Sequence, residues 1–304
     1  MTHHHTVLSG KAWALLLMLP LLLCACATTA PQQTQAPRQP EQSGDAFATG
    51  LGKYREGKFR VAISAFSQAL RRDPQNATIY YNRALARSRL THNAQALADY
   101  EQALRLAPEF VPALVNRAQL YMRLDQYPRA LGDLRQAAQI APENARIHYN
   151  QALVHQQAGQ PEKALAALNQ ALELEPFLPS ALNTRGSIRL ELGRQASALE
   201  DFTQAIKLQG DVPLFYFNQA VARERLERFD GARKSYSQAL ELDPHFLPAL
   251  YNRAVLLLNL GEKDQACADL QRVCENGGPC ARFRNMVEQG DCPSCEFMDN
   301  CGEE

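Results

Sequence analysis

The chain has 304 residues, of which 46% are apolar and 21% are charged, and its formal charge is zero because 32 Lys and Arg balance 32 Asp and Glu. A chain without a basic excess lacks the usual electrostatic basis of phosphate binding, so we expect no nucleic-acid partner. The apolar fraction is large enough to bury a core, which predicts a folded protein.

The N-terminus has the pattern of an export signal. Lys11 precedes an apolar run over residues 12–23. Such a run is too short to cross a bilayer as a helix, but it suits the hydrophobic region of a secretory signal. We therefore predict a signal peptide over residues 1–25.

The apolar run leads into Leu23-Cys24-Ala25-Cys26, which resembles a bacterial lipobox because Leu23 stands three places before Cys26 and a small residue directly before it. The resemblance implies a lipoprotein with a fatty acyl anchor, such as palmitate, on Cys26. Cys24 fits the lipidation site less well, since bulky Leu23 would then stand directly before the cleavage site. Two alternatives stay open, namely cleavage near Ala25 without lipid and an uncleaved anchor. Ala27 rather than Asp follows Cys26, which in lipoproteins implies the outer membrane, facing the periplasm.

Residues 26–42 contain mostly Ala, Thr, Pro and Gln, with almost no large apolar side chain. Such a segment cannot bury a core, so we expect a flexible tether. With a lipid at one end and the folded domain at the other, the tether would let that domain extend away from the membrane surface.

From Ser43 to Cys280 the chain consists of seven copies of one 34-residue pattern, with no residue inserted or deleted between copies. A fixed period of this length indicates a stacked-repeat protein. In the second copy the apolar residues follow a helical period twice, with a break at Thr91-His92-Asn93, so the unit is a helical hairpin. The position of a residue in its copy is called its place, from 1 to 34. The copies span 43–76, 77–110, 111–144, 145–178, 179–212, 213–246 and 247–280.

Several places hold the same kind of residue in every copy. Alanine occupies place 20 in all seven copies and place 27 in six, whereas place 24 holds a large side chain. This combination predicts helices that approach closely at the alanines and interlock at the large residue. The residues at place 20 are Ala62, Ala96, Ala130, Ala164, Ala198, Ala232 and Ala266. Those at place 24 are Phe66, Tyr100, Leu134, Leu168, Phe202, Tyr236 and Leu270.

Together with small residues at place 8 and a proline at place 32 in five copies, these columns resemble the tetratricopeptide repeat. The resemblance implies an all-α fold, a right-handed α-solenoid of seven 34-residue helix-turn-helix repeats whose first helices line a concave groove. A short cysteine-rich C-terminal cap, residues 281–304, would follow. Thr91, Asp125 and Glu227 stand where the family has a glycine between the two helices, so we expect a disturbed turn there.

In this family places 2, 5, 6, 9, 12 and 13 face the groove, and places 5, 6 and 13 suggest a peptide ligand. Place 6 is mostly Asn, whose amide can donate to and accept from a peptide backbone. Place 5 is mostly aromatic, and place 13 supplies arginines that would favour acidic segments. The alternative for Asn and for the aromatics is packing between helices. The candidate binding residues are Tyr81, Asn82, Arg89, Asn116, Arg123, Tyr149, Asn150, Phe217, Asn218, Arg225, Tyr251 and Asn252.

Six cysteines lie in the last 38 residues, and no cysteine lies between Cys26 and the first of them. In an exported chain this pattern predicts up to three disulfides that join the tail to the last hairpin. Cys267 and Cys274 are about 10.5 Å apart along one helix and cannot pair with each other, so we expect each to bond to the tail. We also expect a capping helix over residues 281–289. The six cysteines are Cys267, Cys274, Cys280, Cys292, Cys295 and Cys301.

These patterns predict a non-enzymatic lipoprotein of the cell envelope that needs no cofactor or metal and binds other envelope proteins or peptide segments. It resembles repeat-bearing lipoproteins that help to assemble pilus secretins or that tether peptidoglycan hydrolases. One alternative is a redox or metal-binding helper that acts through the C-terminal cysteines, for example a Cys292–Cys295 pair. Another is a structural lipoprotein that forms homo-oligomers.

Overall fold

The computed structural model describes residues 44–289, 291 and 292, and this part of the chain contains fifteen α-helices. Seven antiparallel helix pairs are followed by one short helix. The first helices of the pairs are α1 (Gly44–Arg55), α3 (Ala77–Arg89), α5 (Val111–Arg123), α7 (Ala145–Gln157), α9 (Pro179–Glu191), α11 (Pro213–Arg225) and α13 (Leu247–Asn259). The second helices are α2 (Phe59–Arg72), α4 (Asn93–Leu106), α6 (Tyr127–Ile140), α8 (Pro161–Leu174), α10 (Gln195–Leu208), α12 (Phe229–Leu242) and α14 (Lys263–Glu275). The last helix is α15 (Ala281–Glu288).

From α3 to α13, each first helix begins 34 residues after the previous one. Each helix contacts its partner in the pair and the nearest helix of the next pair, as expected for a stack. The predicted all-α solenoid of seven helix pairs is therefore confirmed.

The helix ends follow from local chemistry. Pro179 and Pro213 are the first residues of their helices, where a missing N–H costs no helical hydrogen bond. Asn76 caps α3, because its side chain accepts hydrogen bonds from the backbone N–H groups of Thr78 and Ile79 at 3.1 and 3.3 Å. The sequence pattern thus fixes where each pair starts.

The alanines at places 20 and 27 are completely buried, and the large residues at place 24 are at most 1% exposed. The tightest approach occurs at place 8. A Cβ added to Gly50 would lie 2.4 Å from Cε1 of Phe66, and one added to Gly186 would lie 2.7 Å from Cε1 of Phe202. Within this chain, Gly at place 8 occurs only in the two copies with Phe at place 24. The two positions therefore share one fixed volume.

The expectation of disturbed turns at Thr91, Asp125 and Glu227 is wrong. These residues have φ of 57°, 56° and 58°, in the left-handed region where the equivalent Gly159 has 70°. The hydrogen bond that closes the turn is also kept, from the backbone N–H of His92 to the carbonyl of Arg87 at 3.0 Å. The stack enforces the turn and offsets a backbone cost of roughly 1–2 kcal/mol for a residue with a Cβ.

The C-terminal end of the stack is covered by α15, which confirms the predicted capping helix. Phe283 and Met286 of α15 pack in one cluster with Leu257 and Leu270 of the last pair. Burial of these side chains removes apolar surface that a terminal repeat would otherwise expose.

Two disulfides hold this end of the chain. Cys267 is bonded to Cys292, as the prediction of a bond to the tail requires, with a Cα–Cα distance of 5.6 Å. Cys274 is instead bonded to Cys280, the last residue of the seventh repeat, with a Cα–Cα distance of 5.0 Å. The expectation that Cys274 reaches beyond the repeats is therefore wrong, because a turn after α14 brings Cys280 back to it. Cys292 is not paired with Cys295 in this structure.

Several predictions concern residues outside the described part of the chain. These are the signal peptide over residues 1–25, the lipidation site Cys26, the tether, and the cysteines Cys295 and Cys301. In the described part, no helix is long and apolar enough to cross a membrane.

A substitution at Gly186 tests the shared volume of places 8 and 24. Gly186→Ala should lower the free energy of unfolding by about 1–3 kcal/mol, because the new methyl overlaps the Phe202 ring. Adding Phe202→Leu should restore part of this loss, because Ala and Leu already form such a pair at Ala152 and Leu168. Urea unfolding of the single and double variants measures both effects. Additive losses in the double variant would contradict the shared volume.

Candidate functional site

The first helices form the concave side of the stack. Several first helices contact the first helix of the next pair, as α1 does α3 and α5 does α7, whereas contacts between successive second helices are fewer. The layer in which neighbours lie closer is the inner side of a curved stack. Of the twelve candidate residues, all on first helices, nine are half-buried and three are exposed, the arginines Arg89, Arg123 and Arg225.

The asparagines at place 6 are bonded to their own helices. The Nδ2 groups of Asn82, Asn116 and Asn150 donate to the backbone carbonyl four residues earlier, at 2.7, 2.8 and 2.8 Å. The equivalent Thr184 donates in the same way to the carbonyl of Ser180 at 2.8 Å. One polar group at place 6 therefore binds helical backbone in four consecutive repeats.

The same column also links neighbouring first helices. Asn116 donates to the Tyr81 hydroxyl at 3.1 Å, and Asn218 donates to Oδ1 of Asn183 at 2.9 Å, so place 6 of one repeat bonds to place 5 of the previous one. Oδ1 of Asn150 accepts from Nε2 of Gln119, also in the previous repeat, at 3.2 Å. The alternative interpretation, in which the residues at place 6 hold neighbouring helices together, therefore applies to part of this column.

These contacts narrow what the asparagines can offer a ligand. Both N–H groups of Asn116 are engaged, so the idea of an amide that donates and accepts at once does not hold there. Asn82 uses its Nδ2 group for the bond to Thr78, and its Oδ1 atom remains as an acceptor. A backbone N–H of a bound peptide is therefore the complementary group.

The aromatic residues at place 5 also pack inside their own repeats. The ring centroid of Tyr81 lies 5.0 Å from that of Phe110, and that of Phe217 lies 5.6 Å from Phe246. Burial raises the pKa of Tyr149, whose hydroxyl also makes a hydrogen bond to Thr184 in the next repeat. The rings remain only half-buried, so part of each ring stays accessible while the rest packs within the fold.

The arginines at place 13 lie on the surface. The guanidinium of Arg89 lies 5.1 Å from the ring centroid of Phe59, and Arg123 donates a hydrogen bond to the Ser88 hydroxyl. Within residues 44–292 as far as they are described, no carboxylate forms an ion pair with Arg55, Arg89 or Arg123.

Sequence reasoning missed a second set of arginines, which lies half-buried between the two helices of a pair and binds buried Asp side chains. Arg83 binds both carboxylate oxygens of Asp99, at 2.9 and 2.7 Å, and its third nitrogen donates to Ser67 of the previous repeat at 3.0 Å. Arg at place 7 occurs in the four copies that have Asp at place 23, which is the signal that could have revealed these pairs. The pairs are Arg83–Asp99, Arg117–Asp133, Arg185–Asp201 and Arg253–Asp269.

The described part of the chain does not assemble a metal site. No group of three or more His, Cys, Asp and Glu side chains there could hold a metal ion. His148 is buried, and its Nε2 lies 3.1 Å from the carbonyl of Pro142, so it is a core residue. A depression of about 700 Å³ between α12 and α14 lies on the second helices and contains none of the candidate residues.

Matches between the sequence and models of protein families identify the family. One tetratricopeptide repeat model matches residues 47–88, 149–213 and 217–279, and two others match residues 77–110 and 110–174. The chain belongs to the tetratricopeptide repeat family. As a tetratricopeptide repeat protein it is a non-enzymatic scaffold for protein–protein interaction.

Solved structures of other tetratricopeptide repeat proteins are similar to it. A protein from Parabacteroides merdae is 18% identical with a TM-score of 0.63, covering 82% of this chain and 98% of that one. PilF of Pseudomonas aeruginosa is 21% identical with a TM-score of 0.61, covering 70% and 97%. YrrB, described as a repeat protein with an unusual peptide-binding site, is 24% identical with a TM-score of 0.50, covering 62% and 97%. At these identities the likeness shows the fold alone. No curated protein matches the sequence.

A half-buried carboxylate in the groove makes stability depend on pH. Burial raises the pKa of Glu224, although the Tyr236 hydroxyl, which donates to it at 2.9 Å, and nearby Arg225 act in the opposite direction. Since the folded pKa lies above the unfolded value of 4.5, the folded state binds the proton more tightly. This contribution to stability is present below the unfolded pKa and is lost as pH rises through the folded pKa.

Glu224→Gln should therefore stabilise the protein at neutral and higher pH, because Gln has no charge to desolvate and still accepts the bond from Tyr236. Thermal unfolding at about pH 8 should show a higher midpoint than the natural protein, with a smaller difference at about pH 4. Glu227→Gln, which changes an exposed carboxylate three residues later, is the control. An equal gain for Glu224→Gln at both pH values would contradict the assignment.

Proposed function

We propose that this protein is a lipid-anchored scaffold of the cell envelope that holds extended segments of other envelope proteins in its concave groove. The observation that carries the groove is the pair of columns at places 5 and 6. These columns combine half-exposed rings with side-chain amides, such as that of Asn82, whose Oδ1 atom can accept a hydrogen bond. An extended peptide supplies the matching apolar side chains and N–H groups.

Two further observations support the proposed compartment. Disulfides persist in oxidising surroundings outside the cytoplasm, and the structure contains two of them at the C-terminal end of the stack. The Leu-x-x-Cys pattern at Cys26 supports lipid attachment on the periplasmic side of a membrane, which we propose to be the outer membrane.

YrrB, whose structure is described as containing an unusual peptide-binding site, supports peptide binding by analogy of fold.

Photo-crosslinking in living cells tests the groove directly. A photoreactive amino acid at Leu153, at the groove-facing place 9 of α7, should yield covalent products with partner proteins. The matched control is Gln170, an exposed residue on the second helix of the same repeat. Both positions belong to one repeat, so their expression and folding should be alike. Products from Gln170 in the absence of products from Leu153 would overturn the groove as the binding surface.

The lipid anchor has its own test. Cys26→Ser should release the protein from membranes into the soluble periplasmic fraction, because a serine cannot accept the thioether-linked lipid. Cys24→Ser, two residues earlier, is the control and should leave the protein in the membrane fraction. Immunoblots of separated membranes measure the distribution, and retention of Cys26→Ser in the membrane would contradict the anchor.

A further inference from the structure

Two sets of arginines on the first helices have different electrostatic surroundings. Those at place 7 are held in pairs, as Arg117 is by both oxygens of Asp133 at 2.7 and 2.8 Å, so their charge is neutralised inside the repeat. Those at place 13 of the first three repeats, Arg55, Arg89 and Arg123, are exposed and pair with no described carboxylate. Of these two sets, only the second carries charge that no described carboxylate neutralises, so it can attract an anionic ligand.

Their neighbours fix the orientation of two of these arginines. Arg89 lies over the ring of Phe59, and Arg123 donates to the Ser88 hydroxyl, so each leans on the repeat before its own. Successive guanidinium groups are therefore one repeat apart along the groove. We call Arg55, Arg89 and Arg123 the arginine ladder.

The ladder lies in the basic part of a neutral chain. Residues 43–144 contain 14 Lys and Arg against nine Asp and Glu, a net charge of +5, whereas residues 145–280 contain 14 against 16, a net charge of −2. In the next three repeats place 13 holds Gln157, Glu191 and Arg225, and Arg225 follows directly after Glu224. Among the seven repeats, the excess of positive charge thus lies in the first three.

We propose that the groove of repeats 1–3 binds an acidic, extended segment of a partner protein. The ladder binds its carboxylates, the half-exposed ring of Tyr81 contacts an apolar side chain, and Oδ1 of Asn82 and Asn116 accept backbone N–H groups. This inference rests on the proposed function and adds to it the chemistry of the ligand and its place in the groove.

The geometry also predicts the spacing of the acidic residues. First helices that contact one another lie about 8–10 Å apart, and a peptide in the extended polyproline II conformation has three residues per turn and advances about 3.1 Å per residue, so that every third side chain faces the same way. Carboxylates at every third residue therefore match consecutive rungs of the ladder. A cluster of adjacent acidic residues reaches only one rung.

The experiment uses the full chain and fluorescent decapeptides. The first peptide has Glu at three positions separated by two apolar or small residues, and the second has the same composition with the three Glu adjacent. A third peptide replaces Glu by Gln. Fluorescence anisotropy should show the tightest binding for the spaced peptide, with an affinity that falls as salt is raised, because exposed charges are screened.

Charge reversal identifies the arginines that carry the binding. The triple variant Arg55→Glu, Arg89→Glu, Arg123→Glu should bind the spaced peptide at least about tenfold more weakly. The matched control is the triple variant Arg60→Glu, Arg71→Glu, Arg105→Glu, which changes three exposed arginines on the second helices of repeats 1 and 2 by the same total charge. It should retain binding to within about twofold, and circular dichroism checks that both variants are folded.

Several outcomes would overturn the proposal as a whole. They are equal weakening in both triple variants, no preference for the spaced peptide, absence of binding by the natural chain, and self-association that depends on the ladder. Self-association would assign the occupant to a second copy, whose residues 293–304 carry a net charge of −4. Binding of the Gln peptide that does not depend on the ladder would overturn the acidic ligand and leave the proposed function standing. The proposed function itself would be overturned if crosslinked products came from Gln170 and none came from Leu153.

Discussion

The whole stack depends on how closely the two helices of each pair approach. In each pair, the large side chain at place 24 packs against the residue at place 8, which is Gly or Ala in every repeat. Completely buried alanines stand at place 20 and, in six repeats, at place 27. Gly50 and Gly186 show how little room is left, since an added methyl would overlap the phenylalanine beneath it. Because this contact recurs in every repeat, the two helices of each pair pack in nearly the same way, and each pair can stack on the next.

That rigid stack lets polar residues act between repeats as well as within them. Arg83 joins Asp99 of its own repeat to Ser67 of the previous one, and Asn116 joins the hydroxyl of Tyr81. Such bonds hold successive pairs in register along the concave side. The groove is therefore a surface whose shape is set in advance, which lowers the entropy that a bound segment must lose with its partner.

The groove residues have two roles, and this limits which changes can separate function from stability. Tyr81 packs on Phe110 and is half-buried, whereas the arginine ladder lies on the surface with no described carboxylate as partner. Recognition that relies on the ladder can be altered without removing a buried contact. At the C-terminal end, α15 and the two disulfides between described residues close the stack.

Most of the fold could be predicted from the sequence, because a fixed period with small and large residues at constant places dictates helical hairpins and their packing. Helix positions, the buried alanines and the capping helix followed from this pattern. The turns at Thr91, Asp125 and Glu227 could not be predicted, because propensity disfavours a left-handed residue with a Cβ and only the packing of both helices imposes it. The pairing of Cys274 with Cys280 also required the path of the chain after α14.

The candidate site divides in the same way. The sequence by itself determined which columns lie on the first helices and that Asn, aromatic residues and Arg occupy them, because these are properties of spacing and residue type. Only the tertiary structure decided what each side chain touches. It showed that both N–H groups of Asn116 are already bonded and that Asp residues neutralise the arginines at place 7 but not those at place 13. Hydrogen bonds and ion pairs join residues that are distant in sequence, so a charge is known to be free for a ligand only after its neighbours are known.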